Sequence, residues 1–357
     1  MTTQSGEPTP TLSVSVRALP GGESRAVALA EALRPFPVRV VADAVEEPER
    51  RGTPRPAWRP WSPGASHHLV LSGSATVHPA FLAQTRDAVA RQPDALLSFF
   101  TAWDSYASHA VRIAAFAGRA WVTPPGKTLS AVATVLPVAM AAEFAEGDAR
   151  SPASEGEALF RFARSRGLAS YASNPSLVEF CSASTTSPEP ERATAFLADT
   201  EAPASWWGRD PLSVPTQIPA IHVRDGEPVS FEAPREGDDR WRIRSRRPIP
   251  APHSRRLTRI VRDRLLCTEV ARSDLRAAAS LLGAASVLCD QLVLAARIGP
   301  PPEGFGELSA REAAASLPLG TLHRVIEPLS REDARAEVRT AFIAIRDDVL
   351  DVLDDLL

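Results

Sequence analysis

The chain contains almost no lysine and very little cysteine. Lys127 is the only lysine among the 40 basic residues, and all the others are arginine. Together with 33 prolines, this bias is typical of a GC-rich genome, so the abundance of arginine alone does not indicate a nucleic-acid site. The cysteines, Cys181, Cys267 and Cys289, are too few and too scattered for a disulfide framework, and no CxxC spacing indicates zinc.

A secretory signal, a long apolar run and a large net charge are also absent. The first residues, MTTQSGEPTPT, lack the apolar core of a signal peptide. The most apolar stretch, 277–289, is about 13 residues long, which is too short to span a bilayer. A formal net charge of −3 argues against a general binder of polyanions. We therefore expect a cytoplasmic protein whose partners include neither a membrane nor a nucleic acid.

What the sequence does contain divides into three zones, and its 357 residues suggest two domains. Residues 11–225 alternate short apolar runs with amphipathic helical segments, which predicts an α/β domain with a mostly parallel sheet. Residues 226–253 are rich in proline, arginine and acidic side chains, which indicates a linker or a strap over the first domain. Residues 254–357 predict an all-α domain of packed helices.

The last predicted helix carries a heptad-like seam. Its apolar residues recur at steps of three and four over fewer than three heptads: Val338, Phe342, Ile345, Val349 and Val352. Such a seam packs either inside its own helical bundle or against a second copy in a homodimer. We favour the first arrangement, because the repeat is short.

Candidate binding residues follow the ends of the predicted strands. In open α/β sheets, ligands bind at the carboxyl ends of the strands. This rule directs attention to the loop 17–25, to Asp43 and to the segment Ser72-Gly73-Ser74. The loop has no GxGxxG pattern and the chain has no P-loop, so a standard dinucleotide fingerprint is excluded. Asp43 could accept hydrogen bonds from a ribose or a base, or serve only as a turn residue.

Several short motifs occur in an order that resembles GT-A-fold glycosyltransferases, especially small bacterial glycosyltransferase-like proteins. The motifs are HHLVLSGSA at 67–75, PAFL at 79–82, LLSFF at 96–100, VLPV at 135–138 and NPSLVE at 174–179. The resemblance covers about residues 11–200. It implies a GT-A-like domain that binds a nucleotide-sugar and an acceptor, followed here by the helical domain.

This chain differs from the family that it resembles at the positions where that family has its metal ligands. The resemblance implies a DxD-like acidic element after the strand, whose carboxylates hold Mg²⁺ or Mn²⁺ against the diphosphate of the donor. Ser72, Gly73 and Ser74 stand in its place, and hydroxyls cannot replace two negative charges. Phe180 stands where the family often has a histidine. We therefore expect a degenerate DxD site with no divalent metal and no other cofactor, whose remaining donor contacts would come from Ser72, Ser74 and Asp43.

Two hypotheses are compatible with this loss. In the first, the protein is a metal-independent glycosyltransferase in which arginines, with Arg17 and Arg25 as the leading candidates, stabilise the leaving diphosphate. In the second, it is a pseudoenzyme, a non-catalytic binding or scaffold protein in a biosynthetic or assembly complex. We favour the second, because an acidic pair is lost more easily than a replacement clamp is built.

Two carboxylates are candidates for catalysis if the protein is active. Glu179 could act as the general base on an acceptor hydroxyl, although a salt-bridged or solvated role is the one we favour at its position. Asp104 follows a predicted strand between Trp103 and Tyr106, and aromatic rings beside a carboxylate suit a sugar ring as well as they suit a surface turn. His67 and His68 are neighbours in a strand and point to opposite faces, so we expect them to have packing roles.

Overall fold

The computed structural model describes residues 9–42, 55–126, 129–147, 154–180, 192–213, 215–222, 224–234, 241–245 and 254–354. Asp43, a predicted binding residue, lies outside the described residues, as do 235–240 and 246–253 of the predicted linker. Within the described residues the chain is a mixed α/β protein with a helical C-terminal region, as the sequence predicts.

The main sheet has seven strands and provides the frame of the α/β region. The strands described in the chain are β1 Leu12–Ala18, β2 Val38–Ala42, β3 His67–Ser72, β4 Ala75–Val77, β5 Leu96–Ser98, β6 Trp121–Val122, β7 Ala133–Pro137, β8 Ser170–Ser173, β9 Val178–Phe180, β10 Gln217–Ile221, β11 Pro228–Glu232 and β12 Arg242–Ser245. The order in the main sheet is β2-β1-β3-β7-β5-β8-β6. β7 and β6 run against the other five strands, so the sheet is mostly parallel.

Helices cover both faces of this sheet and form the C-terminal region. They are α1 Glu23–Ala32, α2 Phe81–Arg91, α3 Tyr106–Phe116, α4 Val138–Glu146, α5 Glu155–Ser165, α6 Ser254–Leu265, α7 Glu269–Ser273, α8 Leu275–Ala296, α9 Phe305–Leu322 and α10 Glu332–Asp354. α1 and α2 pack with Leu69 and Leu71 in one hydrophobic cluster, while α4 and α5 pack with Val70 in another. β3 is thus buried on both faces, which explains its unbroken apolar run.

Helix capping agrees with the sequence at one site and differs at another. The Ser154 hydroxyl accepts a hydrogen bond from the backbone N–H of Glu157 and caps α5, as its capping-box pattern predicts. The sequence also allows Ser108 to cap a helix, but α3 is capped by Ser105, whose hydroxyl accepts from the N–H of Ser108. Ser108 instead lies buried inside the first turn.

The predicted linker contributes structure of its own. β11 pairs with β10 on one side and with β12 on the other, in a three-stranded antiparallel sheet. Val229 and Phe231 alternate with polar residues along β11, and this period-two pattern is what a half-buried strand requires. Two segments of the predicted linker or strap are therefore strands, and the first of them pairs with a strand of the first zone.

The C-terminal helices form a bundle that shares a core with the α/β region. The seam residues Val338, Phe342, Ile345, Val349 and Val352 are all buried, which confirms the prediction of a packed bundle and shows that the seam is used within this chain. The same hydrophobic cluster includes Trp103, Ala115 and Phe116 from the α/β region. α8 is long and apolar enough to cross a membrane, but 67% of its most apolar window is buried within the protein. That burial is consistent with the core helix of a soluble protein.

Candidate functional site

The carboxyl ends of β1 and β3 bring several of the predicted binding residues together. Arg17 lies opposite Ser72 in the parallel pairing of these strands. The backbone N–H of Gly73 donates to the carbonyl oxygen of Arg17 at 2.8 Å. A Cβ at residue 73 would lie 2.7 Å from the Cβ of Ala26 in α1, so only glycine fits this turn. Ser72 and Ser74 therefore occupy a tight, buried turn at the carboxyl end of a central strand, as predicted.

The two predicted arginines differ in their surroundings. The Arg17 guanidinium forms an ion pair with Glu155, the first residue of α5, and the indole N–H of Trp58 donates to the same carboxylate. Arg25 lies on the first turn of α1 and is exposed. Arg17 is therefore neutralised by a protein carboxylate close to the turn, whereas Arg25 faces solvent.

The described residues contain no cluster of three or more histidine, cysteine, aspartate or glutamate side chains that could hold a metal ion. His67 and His68 are buried and bonded to protein groups. The ring nitrogens of His67 contact the Ser66 hydroxyl and the Pro93 carbonyl, and those of His68 contact the Ser13 hydroxyl and the Ala57 carbonyl. Burial lowers the pKa of both imidazoles. Both histidines have the packing role that the sequence predicts.

A cavity of about 430 Å³ opens at the carboxyl end of β5. It lies between the start of α3 and the described segments 124–126 and 129–132. Val132 joins it to the serine turn, because the carbonyl oxygen of Val132 accepts from the N–H of Ser72 at 2.7 Å. Its described lining includes five hydroxyl-bearing residues, Ser98, Thr101, Ser105, Tyr106 and Ser130, the rings of Phe100 and Phe231, and the carboxylate of Asp104. The cavity therefore combines apolar ring surface with polar groups.

Hydrogen bonds fix the wall of this cavity. The Ser98 hydroxyl donates to the carbonyl oxygen of Ser130 at 3.1 Å, which holds the segment after β5 against the segment before β7. The carbonyl oxygen of Thr101 accepts from both the N–H and the hydroxyl of Thr194, at 2.9 and 3.0 Å. Because these polar groups bond within the wall, its backbone is held in place before any ligand binds.

An aromatic stack forms one side of the cavity. Tyr106 at the start of α3 stacks on Phe231 of β11 with ring centroids 4.9 Å apart, and Phe231 stacks on Trp241 at the same distance. Phe231 comes from the segment predicted as a linker. Its contact with Tyr106 is not predicted from the sequence, although the alternation of Val229 and Phe231 is a signal for a strand that packs on the first zone.

The two predicted catalytic carboxylates are not brought together. Asp104 lines the cavity. Glu179, on β9, is not among the lining residues, and its carboxylate accepts at 3.1 Å from the N–H of Ala193, which forms a bridge with the wall residue Ala102. Burial raises the pKa of Glu179 to about 7, and the nearby Glu312 adds to this rise. Glu179 therefore lies behind the wall of the cavity as a carboxyl group that is partly protonated at neutral pH.

A buried arginine connects the cavity wall to the helical region. Arg112 of α3 is fully buried, and its guanidinium donates to the carbonyl oxygens of Trp103, Ala313 and Ser316 at 3.0 to 3.2 Å. Burial lowers its pKa to about 9, while the negative charge of Asp104 opposes this change. Asp104 in turn forms an ion pair with Arg324 at 2.9 Å. No local sequence pattern could reveal Arg324, which is 220 residues away along the chain.

No family model, curated protein or solved structure matches this chain. Its function therefore has to be inferred from the fold and from the groups that the cavity and the serine turn bring together.

Proposed function

We propose that this protein is a glycosyltransferase-like binding protein that takes a carbohydrate into the cavity at the carboxyl end of β5 and does not catalyse metal-dependent sugar transfer. The observation that carries this proposal is the lining of the cavity, where hydroxyl groups and one carboxylate lie beside aromatic rings. Sugars present hydroxyls at the rim of the ring and C–H groups on its faces, so they suit such a mixture.

The serine turn supports the non-catalytic half of the proposal. A donor diphosphate needs positive charge to leave, and in the family that the sequence resembles a metal ion supplies it. Ser72 and Ser74 offer no negative charge to hold such an ion. Arg17 is already paired with Glu155, and Arg25 faces solvent, so neither is poised over the turn as a diphosphate clamp.

The fold class also supports the resemblance from which the carbohydrate ligand is inferred. The serine turn follows β3 and the cavity follows β5, so both lie at the same edge of the sheet, with the antiparallel β7 between them. This edge is where α/β proteins bind ligands. The GT-A identity, the cytoplasmic location and a role within a larger complex stay predictions beside this proposal.

A thermal-shift panel tests the proposal. Methyl glycosides of glucose, galactose and mannose are compared with UDP-, GDP- and TDP-sugars, each with and without Mn²⁺. We expect at least one methyl glycoside to raise the melting temperature saturably, without dependence on Mn²⁺. Ala107→Trp places a large side chain on the lining of the cavity and should abolish that shift. Ala336→Trp, at an exposed position on α10, is the matched control and should leave the shift intact.

Three outcomes would overturn the proposal. Stabilisation by a nucleotide-sugar that requires Mn²⁺, together with turnover of that donor, would establish a working metal-dependent transferase. Failure of every glycoside to stabilise the protein would exclude the carbohydrate ligand. A shift that survives Ala107→Trp would place the ligand outside the cavity.

A further inference from the structure

We infer that Asp104 makes the cavity selective for an uncharged, hydroxyl-bearing ligand, and that Arg324, just after α9, positions Asp104 for this role. The inference rests on the proposed function, because it names the chemical class that the same cavity accepts. It adds that the α/β region supplies the hydrogen-bond acceptor, the Asp104 carboxylate, and that the C-terminal helical region holds this carboxylate in place.

The two oxygens of the Asp104 carboxylate have different surroundings. A guanidinium nitrogen of Arg324 donates to Oδ2 at 2.9 Å. Within the described part of the chain, no protein group donates a hydrogen bond to Oδ1. The Asp104 side chain keeps 21% of its surface exposed, on the lining of the cavity. One oxygen is therefore anchored, and the other is accessible to a donor group of a ligand.

The charges around Asp104 indicate which donor is preferred. Its carboxylate is ion-paired with Arg324 and is also attracted to the buried guanidinium of Arg112. Two positive charges already offset its single negative charge, so a ligand ammonium group gains little from adding a third. A hydroxyl group still gains a hydrogen bond to a charged acceptor, which is stronger than one to a neutral acceptor. A ligand carboxylate or fully ionised phosphate has no hydrogen to donate to Oδ1, so its oxygens would lie against the Asp104 oxygen without forming a hydrogen bond.

The segment that carries Asp104 is held by α9 through several contacts. The ring of Trp103 stacks on His323 with centroids 6.0 Å apart. The backbone of Trp103 packs so closely on Gly320 that a Cβ there would lie 2.6 Å from the Trp103 carbonyl oxygen. Arg112 bonds the carbonyl oxygens of both Trp103 and Ser316. Because Arg324 follows directly after this contact region, its guanidinium reaches Asp104 from a fixed base.

Calorimetric titration of charge variants tests the selectivity. The probes are the three methyl glycosides, the corresponding amino sugars, which carry an ammonium group at pH 7, and the corresponding 6-phosphates. For the parent protein we expect affinity for the neutral glycoside to be about tenfold higher than for the charged probes. Asp104→Asn should lower the affinity for the neutral glycoside about tenfold, since it replaces a charged acceptor by a neutral amide.

The variant Arg324→Ala distinguishes a role of Arg324 in positioning Asp104 from a general loss of structure. Removal of one compensating charge should weaken binding of the neutral glycoside about threefold to tenfold while raising the relative affinity for the amino sugar. A merely structural loss would weaken both ligands equally. Arg324→Lys should restore part of the parent preference. Arg311→Ala is the matched control, because Arg311, within α9, is also an ion-paired arginine but pairs with Asp347. It should change neither affinity nor preference.

Lys127 follows the lining residue Gly126 in the sequence and lies outside the described residues. Lys127→Ala is therefore included. A parent preference for the 6-phosphates that disappears in this variant would overturn the inference of a neutral ligand and assign the selectivity to Lys127. Tighter binding of the amino sugars than of the glycosides by the parent would overturn it as well.

Amide hydrogen exchange tests the positioning role without any ligand. Arg324→Ala should speed exchange of the amides in residues 101–107 by about tenfold, because the ion pair no longer restrains the segment, whereas Arg311→Ala should not. Unchanged exchange would overturn the positioning role even if sugars bind. If no sugar binds while the exchange responds as expected, the proposed function fails and the mechanical link between α9 and the cavity wall stands.

Discussion

Replacement of Glu179 by glutamine should make the stability of this protein less sensitive to pH. Burial is the largest cause of the rise in the pKa of Glu179 from 4.5 to about 7, and the negative charge of Glu312 adds to this rise. The hydrogen bond from the N–H of Ala193 and the positive charge of Arg192 oppose it. The folded protein therefore binds the Glu179 proton more tightly than the unfolded chain does. The contribution of Glu179 to stability is fully present below pH 4.5 and is lost as the pH rises to 7.

The size of the effect follows from the change in pKa. One pKa unit corresponds to about 1.4 kcal/mol, so the rise from 4.5 to about 7 corresponds to roughly 3 kcal/mol. Glu179→Gln keeps an oxygen that accepts from the N–H of Ala193 but has no proton to lose. The free energy of unfolding of the variant, minus that of the parent, should therefore increase by about 2 to 3 kcal/mol between pH 5 and pH 8.

Urea denaturation at the two pH values measures this difference. Subtraction of the parent value at each pH cancels the titration of the histidines, which both proteins share. Glu146→Gln, at the exposed last residue of α4, is the control, and its difference from the parent should change by less than about 0.5 kcal/mol. A Glu179→Gln difference that is the same at pH 5 and pH 8 would refute the assignment of Glu179 as a carboxyl group destabilised by burial.

Two further predictions concern the helical region and its junction with the cavity wall. Phe342 is fully buried in the bundle, so Phe342→Ala should lower the free energy of unfolding by about 3 to 5 kcal/mol. Leu275→Ala, at a residue that is 89% exposed, should lower it by less than about 0.5 kcal/mol. Chemical denaturation measures both values, and equal effects would contradict the packing described. Gly320→Ala should destabilise the protein by about 1 to 3 kcal/mol despite the better helix propensity of alanine, because its Cβ would press on the carbonyl oxygen of Trp103. Gly299→Ala, which has open space around it, should show no such loss, and a thermal melt that ranks the two variants the other way would exclude the close contact.

Particular residues show how far the sequence predicts this structure. The unbroken run of β3 predicts a strand buried on both faces, and the seam of α10 predicts its buried side, because local periodicity reports burial directly. The pattern Ser309-x-x-Glu312 suggests a helix start, yet α9 begins at Phe305. Ser309 is buried and its hydroxyl donates to the side-chain oxygen of Asn174, so a tertiary contact uses the group that a cap would need.

Only part of the candidate site can be predicted from the sequence. Asp104 and the serine turn follow strands, so the rule that ligands bind at strand ends finds them. Phe231, Arg112 and Arg324 belong to the same wall, but they reach it from a short strand, from the inside of a helix and from the end of another helix. The positions of these three residues depend on how distant segments pack together, and no spacing of residues along the chain predicts that packing.

The hydrogen bonds of Arg112 also limit how early this protein can fold during its synthesis on the ribosome. α3 is buried from Ser108 to Phe116, and Arg112 donates to a carbonyl oxygen that lies 201 residues later in the chain. At about 5–20 residues per second, translation needs roughly 10–40 s to deliver that partner. During this interval a nascent chain displays an apolar helix with an uncovered guanidinium, which is the kind of surface that chaperones bind. A message truncated before α9 should therefore yield an insoluble product rather than a free-standing α/β domain.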